Sequence, residues 1–179
     1  MVNAASHALQ RYIRNVPDFP KKGIVFRDIT TLLQDKAAFS QAIEVFYDRY
    51  RTQSIDKVVS VESRGFIFGS ALAYRLSAGF VPVRKPKKLP SETIREEYQL
   101  EYGKDALEIH TDAIKKGEKV LIVDDLIATG GTIVAACNLV KKLGGSIVGL
   151  AFLIELTFLH GREKLNDFEV FSIIKYDSE

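Results

Sequence analysis

Val120-Leu-Ile-Val-Asp-Asp-Leu-Ile-Ala-Thr-Gly-Gly-Thr132 is the stretch that decides the fold. Lys119 to Val123 reads as a buried strand ending in Asp124-Asp125, and Ile133, Cys137 and Val140 then mark a helix that stops at Gly144-Gly145. Between them, Ala128, Thr129, Gly130, Gly131 and Thr132 bring small residues, successive backbone N–H groups, hydroxyls and a helix N-terminus, which together favour a phosphate dianion. The string is not a P-loop, because the Lys that follows the second Gly of that motif is absent, and it lacks the Gly-x-Gly-x-x-Gly spacing of dinucleotide-binding turns. The two acids upstream would repel a phosphate held against them, so a hydroxyl-bearing group or a metal belongs between acids and cradle. A ribose 5-phosphate has that form. Neighbours on a strand point to opposite faces, which makes Asp124 and Asp125 a poor acid–base couple and assigns them to binding.

Working outward, the same strand–turn–helix grammar recurs. Lys57 to Val61 is a β-branched run, followed by Ser63-Arg64-Gly65 and an Ala- and Leu-containing stretch that ends near Gly79. Phe80 to Val83, Ile147 to Ile154 and Val170 to Ile174 supply further strands. Asp35 is positioned to cap a helix whose apolar face is Phe39, Ile43, Phe46 and Tyr50. Ser6 to Val16 patterns as a short helix that Pro17 and Pro20 break. Strands alternating with helices predict an α/β fold around a mostly parallel sheet. Residues 85 to 105 carry many charges and no helical period, which predicts a mobile lid or binding loop.

Composition sets the outer limits. A chain of 179 residues is the length of one domain and buries about 70% of its unfolded surface without needing disulfides. With 46% hydrophobic and 27% charged residues it is neither disordered nor fibrous. A net charge of +2 exerts little pull on nucleic acid or an anionic membrane, so any anion site has to be local. The single Cys137 and three His form no zinc spacing, and no apolar run reaches the ~18 residues of a membrane span. A cytoplasmic address in a reducing compartment is expected, with no nucleic acid and no membrane as partner.

The full string, four apolar residues, two acids, two apolar residues and Ala-Thr-Gly-Gly-Thr, resembles the phosphoribosyl pyrophosphate motif of type I phosphoribosyltransferases. Pro17-Asp-Phe-Pro20, Gly23-Ile-Val-Phe-Arg-Asp28, Glu62-Ser-Arg-Gly-Phe66, Lys88-Leu-Pro90, Leu100-Glu-Tyr-Gly103, Glu155-Leu-Thr157 and Gly161-Arg-Glu-Lys164 narrow the resemblance to the adenine phosphoribosyltransferases, over nearly the whole chain and in the family's order. The resemblance implies a single type I phosphoribosyltransferase domain over 1–179, with a base-binding hood from about residues 1–34 and a catalytic lid at about 85–107. It implies a pentosyltransferase of purine salvage that moves the 5-phosphoribosyl group of phosphoribosyl pyrophosphate to adenine, giving AMP and pyrophosphate with Mg2+ present. A homodimer is implied as well.

The resemblance also implies roles. Val25, Phe26 and Arg27 would line the base pocket, with the Phe26 ring stacking on adenine. From sequence alone, Phe26 reads equally well as one of eleven Phe that are mostly core. Asp124, Asp125 and Ala128 to Thr132 would hold ribose and 5-phosphate. Ser63, Arg64, Arg84, Lys85 and Lys88 would meet pyrophosphate, and the turn at Ser63 would contain a non-proline cis peptide. Lys87 stands where relatives commonly carry Gly. Glu101, Arg64 and Tyr102 would be catalytic, with Glu101 near the purine managing the imidazole proton. No direct protein ligand for the metal is assigned. Because C1 of the ribose gains oxocarbenium character as pyrophosphate departs, the chemistry needs placement and charge stabilisation more than a protein nucleophile. Two alternatives stay open at this level: a phosphoribosyltransferase for xanthine or guanine, and a non-catalytic sensor of phosphoribosyl pyrophosphate.

Overall fold

The computed structural model of the chain describes residues 2–100 and 103–179. In chain order the elements are α1 (Val2–Gln10), β1 (Arg14–Val16), β2 (Phe26–Asp28), α2 (Thr30–Gln34), α3 (Lys36–Tyr50), β3 (Lys57–Val61), α4 (Gly65–Leu76) and β4 (Gly79–Val83). There follow β5 (Thr93–Leu100), β6 (Gly103–His110), β7 (Lys119–Ile127), α5 (Gly131–Lys142), β8 (Ser146–Leu156) and β9 (Val170–Tyr176), with two short 3-10 turns at Thr157–Leu159 and Gly161–Leu165. Among the described residues no helix is long and apolar enough to cross a membrane.

The central sheet has the order β4-β3-β7-β8-β9 with every pairing parallel, so it is buried on both faces and its strands are near-continuous apolar runs. Alternation along β7 feeds two cores. Leu121 and Val123 pack with α3 and α4 around Phe46, Phe68 and Leu72, whereas Val120 and Ile122 pack with α5 around Ile133, Ala136 and Val140. Asp35 caps α3 as its position predicts, its Oδ1 accepting from the Ala37 and Ala38 N–H groups at 3.0 and 2.9 Å.

Strand order fixes where a site can form. After β3 the chain crosses to β4 on one side; after β7 it crosses to β8 on the other. A crevice must therefore open between the carboxyl ends of β3 and β7, the switch point where parallel sheets hold ligands.

Three expectations need correction. Residues 85 to 105 are not a structureless loop: Thr93–Leu100 and Gly103–His110 form an antiparallel ribbon, paired from Thr93↔His110 to Leu100↔Gly103. Its inward positions include Ile94 and Tyr98, but Glu96 sits on the same side, satisfied by Asn138 Nδ2 at 2.8 Å and Lys142 Nζ at 2.5 Å on α5. That inward acid erased the apolar alternation. At the N-terminus, the helix covers Val2–Gln10 rather than residues 6–16, and Arg14–Val16 is instead a strand paired with Phe26–Asp28. β7 does not end at the acids but continues to Ile127.

Candidate active site

The crevice at the switch point is a cleft of about 440 Å³. Its walls are Val61, Glu62, Ser63 and Arg64 from the end of β3, and residues 124–133 from the end of β7 and the start of α5. Asp124 and Asp125 both line it, 8% and 5% exposed, although both lie inside β7, where strand alternation predicts opposite faces for neighbours. The Asp125 N–H donates to Asp124 Oδ1 at 2.9 Å. Burial, then the adjacent Asp125 charge, pushes the Asp124 carboxyl well above the ordinary carboxylate range. Burial also raises Asp125, against the pull of Arg64. Arg64 Nε lies 2.9 Å from Asp125 Oδ2, but off the N–H axis, so charge is met while that buried oxygen receives no hydrogen bond. Asp125 thus brings a buried acceptor without a donor to the wall of the cleft.

The cradle is as small as its sequence requires. Gly130 has φ +79°, and a methyl there would fall 2.6 Å from the Gly161 carbonyl oxygen. Gly131 begins α5, with the Gln99 carbonyl oxygen and the Tyr98 ring over it, so the ribbon roofs this end of the cleft. Ala128 to Thr132 thus line the cleft and lead into a helix N-terminus, whose first amides have no partner within the helix.

On the β3 side, Glu62 organises the basic loop. Its Oε2 accepts from Arg84 Nε at 2.9 Å and Nη2 at 2.7 Å, and its Oε1 accepts from the Lys85 N–H at 2.6 Å. Burial works against the Glu62 charge, but these donors hold its carboxyl below the usual value. Arg84 also donates to the Lys88 carbonyl at 3.2 Å, folding the loop on itself. Lys87 adopts φ +67°, the left-handed conformation for which a Gly would serve, and its N–H donates to Glu108. The Glu62–Ser63 peptide is cis.

Lys85 reaches the other wall. Its Nζ lies 3.1 Å from Asp105 Oδ2, an oxygen that also accepts from the Tyr98 hydroxyl at 3.3 Å. The hydrogen bond to Asp105 raises the Lys85 pKa. Burial pushes the Tyr98 hydroxyl up, against the pull of Thr132. Asp105 therefore ties the basic loop to the ribbon, whose Tyr98 ring lies over Gly131.

Phe26 stands on β2, half-buried, with Phe19 packed edge-on at 5.2 Å and the Arg64 guanidinium 5.2 Å from its ring centre. Arg64 thus bridges the Phe26 ring and Asp125. Val25, beside Phe26, is half-buried too. The Arg27 side chain turns away: it donates to Asn15 Oδ1 and the Ser178 carbonyl and stacks at 4.0 Å on Tyr176, leaving only its backbone for a ligand. Glu101 and Tyr102 lie outside the described residues.

Sequence reasoning missed Glu62 and Asp105 as organising groups. The signal for Glu62 was its place in the quoted Glu62-Ser-Arg-Gly-Phe66 segment; for Asp105 there was none, since its partners are twenty residues away or lie across the ribbon. Among the described residues no three His, Cys, Asp or Glu side chains converge on a metal. Asp124 and Asp125 fit an ion carried mainly by a phosphorylated ligand.

The phosphoribosyl transferase domain family matches residues 28–179. An adenine phosphoribosyltransferase of Geobacter metallireducens is 61% identical over 168 residues, covering 94% of this chain and 98% of the relative. The crystal structure of adenine phosphoribosyltransferase from Thermoanaerobacter pseudethanolicus superposes with a TM-score of 0.92 at 54% identity, over 95% of this chain and 99% of that one. The Saccharomyces cerevisiae enzyme, solved with adenine and an imino-altritol bisphosphate, gives a TM-score of 0.91 at 41% identity, over 96% and 99% of the two chains.

Proposed function

The chain belongs to the adenine phosphoribosyltransferases within the phosphoribosyl transferase domain family, and we propose that the cleft between β3 and β7 performs their reaction. It is a pentosyltransferase that joins the 5-phosphoribosyl group of phosphoribosyl pyrophosphate to N9 of adenine, releasing pyrophosphate and giving AMP. The C1–O bond to pyrophosphate breaks, the C1–N9 bond forms, and the N9 proton leaves the base. The observation that carries the residue-level reading is Asp125 Oδ2, buried at the cleft without a donor and beside a glycine-rich helix N-terminus.

In this reading the amides of Ala128 to Thr132 hold the 5-phosphate, and Asp124 and Asp125 accept from the ribose diol. The cradle fixes one end of the sugar and the acids its middle, so C1 lies toward Arg64 and Ser63. Arg64, Ser63, Arg84, Lys85 and Lys88 face the departing pyrophosphate; Lys85 exchanges Asp105 for the ligand's oxygens. Asp124 and Asp125 would face a Mg2+ ion brought in with the sugar donor, and that ion would supply charge neutralisation for the departing pyrophosphate. Phe26 stacks on adenine while the backbone of Val25 and Arg27 reads its edge, a device that leaves polar groups unsatisfied when a 6-oxopurine enters. Glu101 manages the N9 proton, and Tyr102 completes the lid with the β5–β6 ribbon, excluding water that would hydrolyse the sugar donor.

We propose a homodimer, supported by the outer face of α4, where Tyr74 is 87% exposed and Ile67 lies beside it next to the edge strand β4. A cytosolic address suits the buried, unpaired Cys137, whose thiol burial pushes up to about 12. The deciding test incubates the protein with adenine, phosphoribosyl pyrophosphate and Mg2+ and follows AMP and pyrophosphate in equal amounts. Equal turnover of hypoxanthine would refute the base assignment, and absence of binding to either AMP or the sugar donor by calorimetry would refute the cleft.

A further inference from the structure

We propose that the Glu155–Arg162 ion pair and Gly161 form a clamp that aims the phosphate cradle from behind, a positioning device for the reaction proposed above and resting on that reading. None of the three residues lines the cleft. They come from the end of β8 and the turn that follows it, which the functional assignment leaves without a task.

Geometry carries the inference. Glu155 on β8 pairs in register with Ile127 on β7, the residue just before the cradle begins. It is 4% exposed, and its carboxylate takes the Arg162 fork bidentately, Nε to Oε1 at 2.7 Å and Nη2 to Oε2 at 2.5 Å. Arg162 Nη1 donates to the Val170 carbonyl at 2.9 Å, so the guanidinium is pinned to two adjacent strands. Gly161, one residue earlier, is thereby pressed back-to-back on the cradle. A methyl on it would fall 2.1 Å from the Ala128 carbonyl oxygen and 2.9 Å from the Gly130 nitrogen. The entry to this turn is also constrained, since His160 holds φ +55°.

The contacts are to the cradle's backbone and not to its side chains, so displacing the turn shifts the amides that would meet the 5-phosphate. An ion pair with one partner buried and the other half-buried is an inefficient way to gain stability, because packed apolar groups often serve as well; what the planar fork adds is a fixed angle and distance. A lysine in its place keeps the charge and loses the second bond and the reach to Val170.

The test measures turnover and ligand affinity for the intact protein, Arg162→Lys, Glu155→Gln and Gly161→Ala, all well below their melting temperatures. For Arg162→Lys and Gly161→Ala the clamp predicts a rise of about 10–100-fold in KM for phosphoribosyl pyrophosphate and in Kd for ribose 5-phosphate, as for a reacting group misplaced by a fraction of an ångström. KM for adenine stays within about twofold, because Phe26 stands on a separate sheet. Glu155→Gln, which keeps an acceptor for one arm of the fork, lies between these and the parent. A merely structural role would lower the melting temperature and the active fraction without separating the two substrates. Unchanged ribose 5-phosphate affinity in Arg162→Lys, or parallel losses for adenine and sugar donor, would overturn the clamp. Lack of turnover by the parent protein would instead refute the reaction, while ribose 5-phosphate affinity would still decide the clamp.

Discussion

Replacing Gly65 by Ala sets two familiar effects against each other next to the cleft wall. Alanine is the better helix former by about 0.5–1 kcal/mol in a helix interior, and Gly65 opens α4, so the gain belongs at the low end of that range. Against it, the added methyl would lie 2.5 Å from Asp124 Oδ1, 3.3 Å from Asp124 Cγ and 3.4 Å from its Cα. Real side chains essentially never approach below 3.0 Å, so the oxygen must withdraw by at least half an ångström. It cannot withdraw freely: Asp124 is buried and its Oδ1 holds the Asp125 N–H at 2.9 Å. Overpacking of this kind costs about 1–3 kcal/mol, and weakening the hydrogen bond adds roughly 0.5–1.5 kcal/mol. The clash wins, with a net loss of about 1–4 kcal/mol and a fall in melting temperature of roughly 2–16 °C for a chain of this size. Affinity for ribose 5-phosphate should fall by about tenfold or more, since the carboxylate that moves is one of the two proposed to accept from the diol. Calorimetric melting and binding measure both. A double-mutant cycle with Asp124→Ala, which removes the obstructing oxygen, should return at least about 0.5 kcal/mol of coupling. A melting temperature for Gly65→Ala equal to or above that of the parent would refute the steric reasoning.

Other outcomes follow from the same contacts. Asp124 binds its proton more tightly folded than unfolded, so it lowers stability as pH rises from the ordinary carboxylate value through its raised one, and the penalty is complete above that. Asp124→Asn should accordingly raise the melting temperature at neutral pH, with the gain vanishing toward about pH 4, while turnover drops by more than about tenfold; a gain that grew on acidification would contradict the assignment. Glu62→Gln removes the charge that gathers Arg84 and Lys85, and with Arg84 a third exposed the loss lies near the lower end of about 1.5–3 kcal/mol. Steady-state kinetics should show it as a roughly tenfold rise in KM for phosphoribosyl pyrophosphate with adenine little affected. Asp35→Ala deletes the cap of α3 far from the cleft and should cost about 1 kcal/mol, or roughly 2–4 °C in a melting scan, with turnover preserved.

Legibility in the sequence tracked how much of each element's environment was apolar. Lys57–Val61 and the strand through Val120 to Val123 were readable because both faces are buried, and α3 because Asp35 and the face of Phe39, Ile43, Phe46 and Tyr50 agree. The β5–β6 ribbon was not, because its inward face mixes Ile94 and Tyr98 with Glu96, whose charge is met by Asn138 and Lys142 more than forty residues away. The same limit applied to the site. Asp124, Asp125 and the cradle announce themselves through contiguous chemistry, but the work of Glu62, Asp105 and Glu155 depends on partners that only the folded sheet supplies. Arg27 shows the converse: its motif is contiguous with Phe26, yet its guanidinium is spent on Asn15, Ser178 and Tyr176.

Parallel pairing explains why segments a hundred residues apart in sequence meet. Strands β3, β7 and β8 all run the same way, so whatever follows each of them emerges at one edge of the sheet: Glu62 to Gly65, Ala128 to Thr132, and Gly161 with Arg162. Because β3 and β7 send their helices in opposite directions, the first two segments part and leave the cleft. Because β7 and β8 are neighbours, the third lies against the second and backs it. The proposed phosphate site is built mainly from backbone amides and has only Thr129 and Thr132 to tune it through side chains, so its aim depends on what stands behind it. Two glycines in contact, Gly130 and Gly161, leave no compressible layer between cradle and support. Any adjustment at Glu155 or Arg162 is therefore transmitted to the amides directly, and residues outside the cleft carry part of its precision.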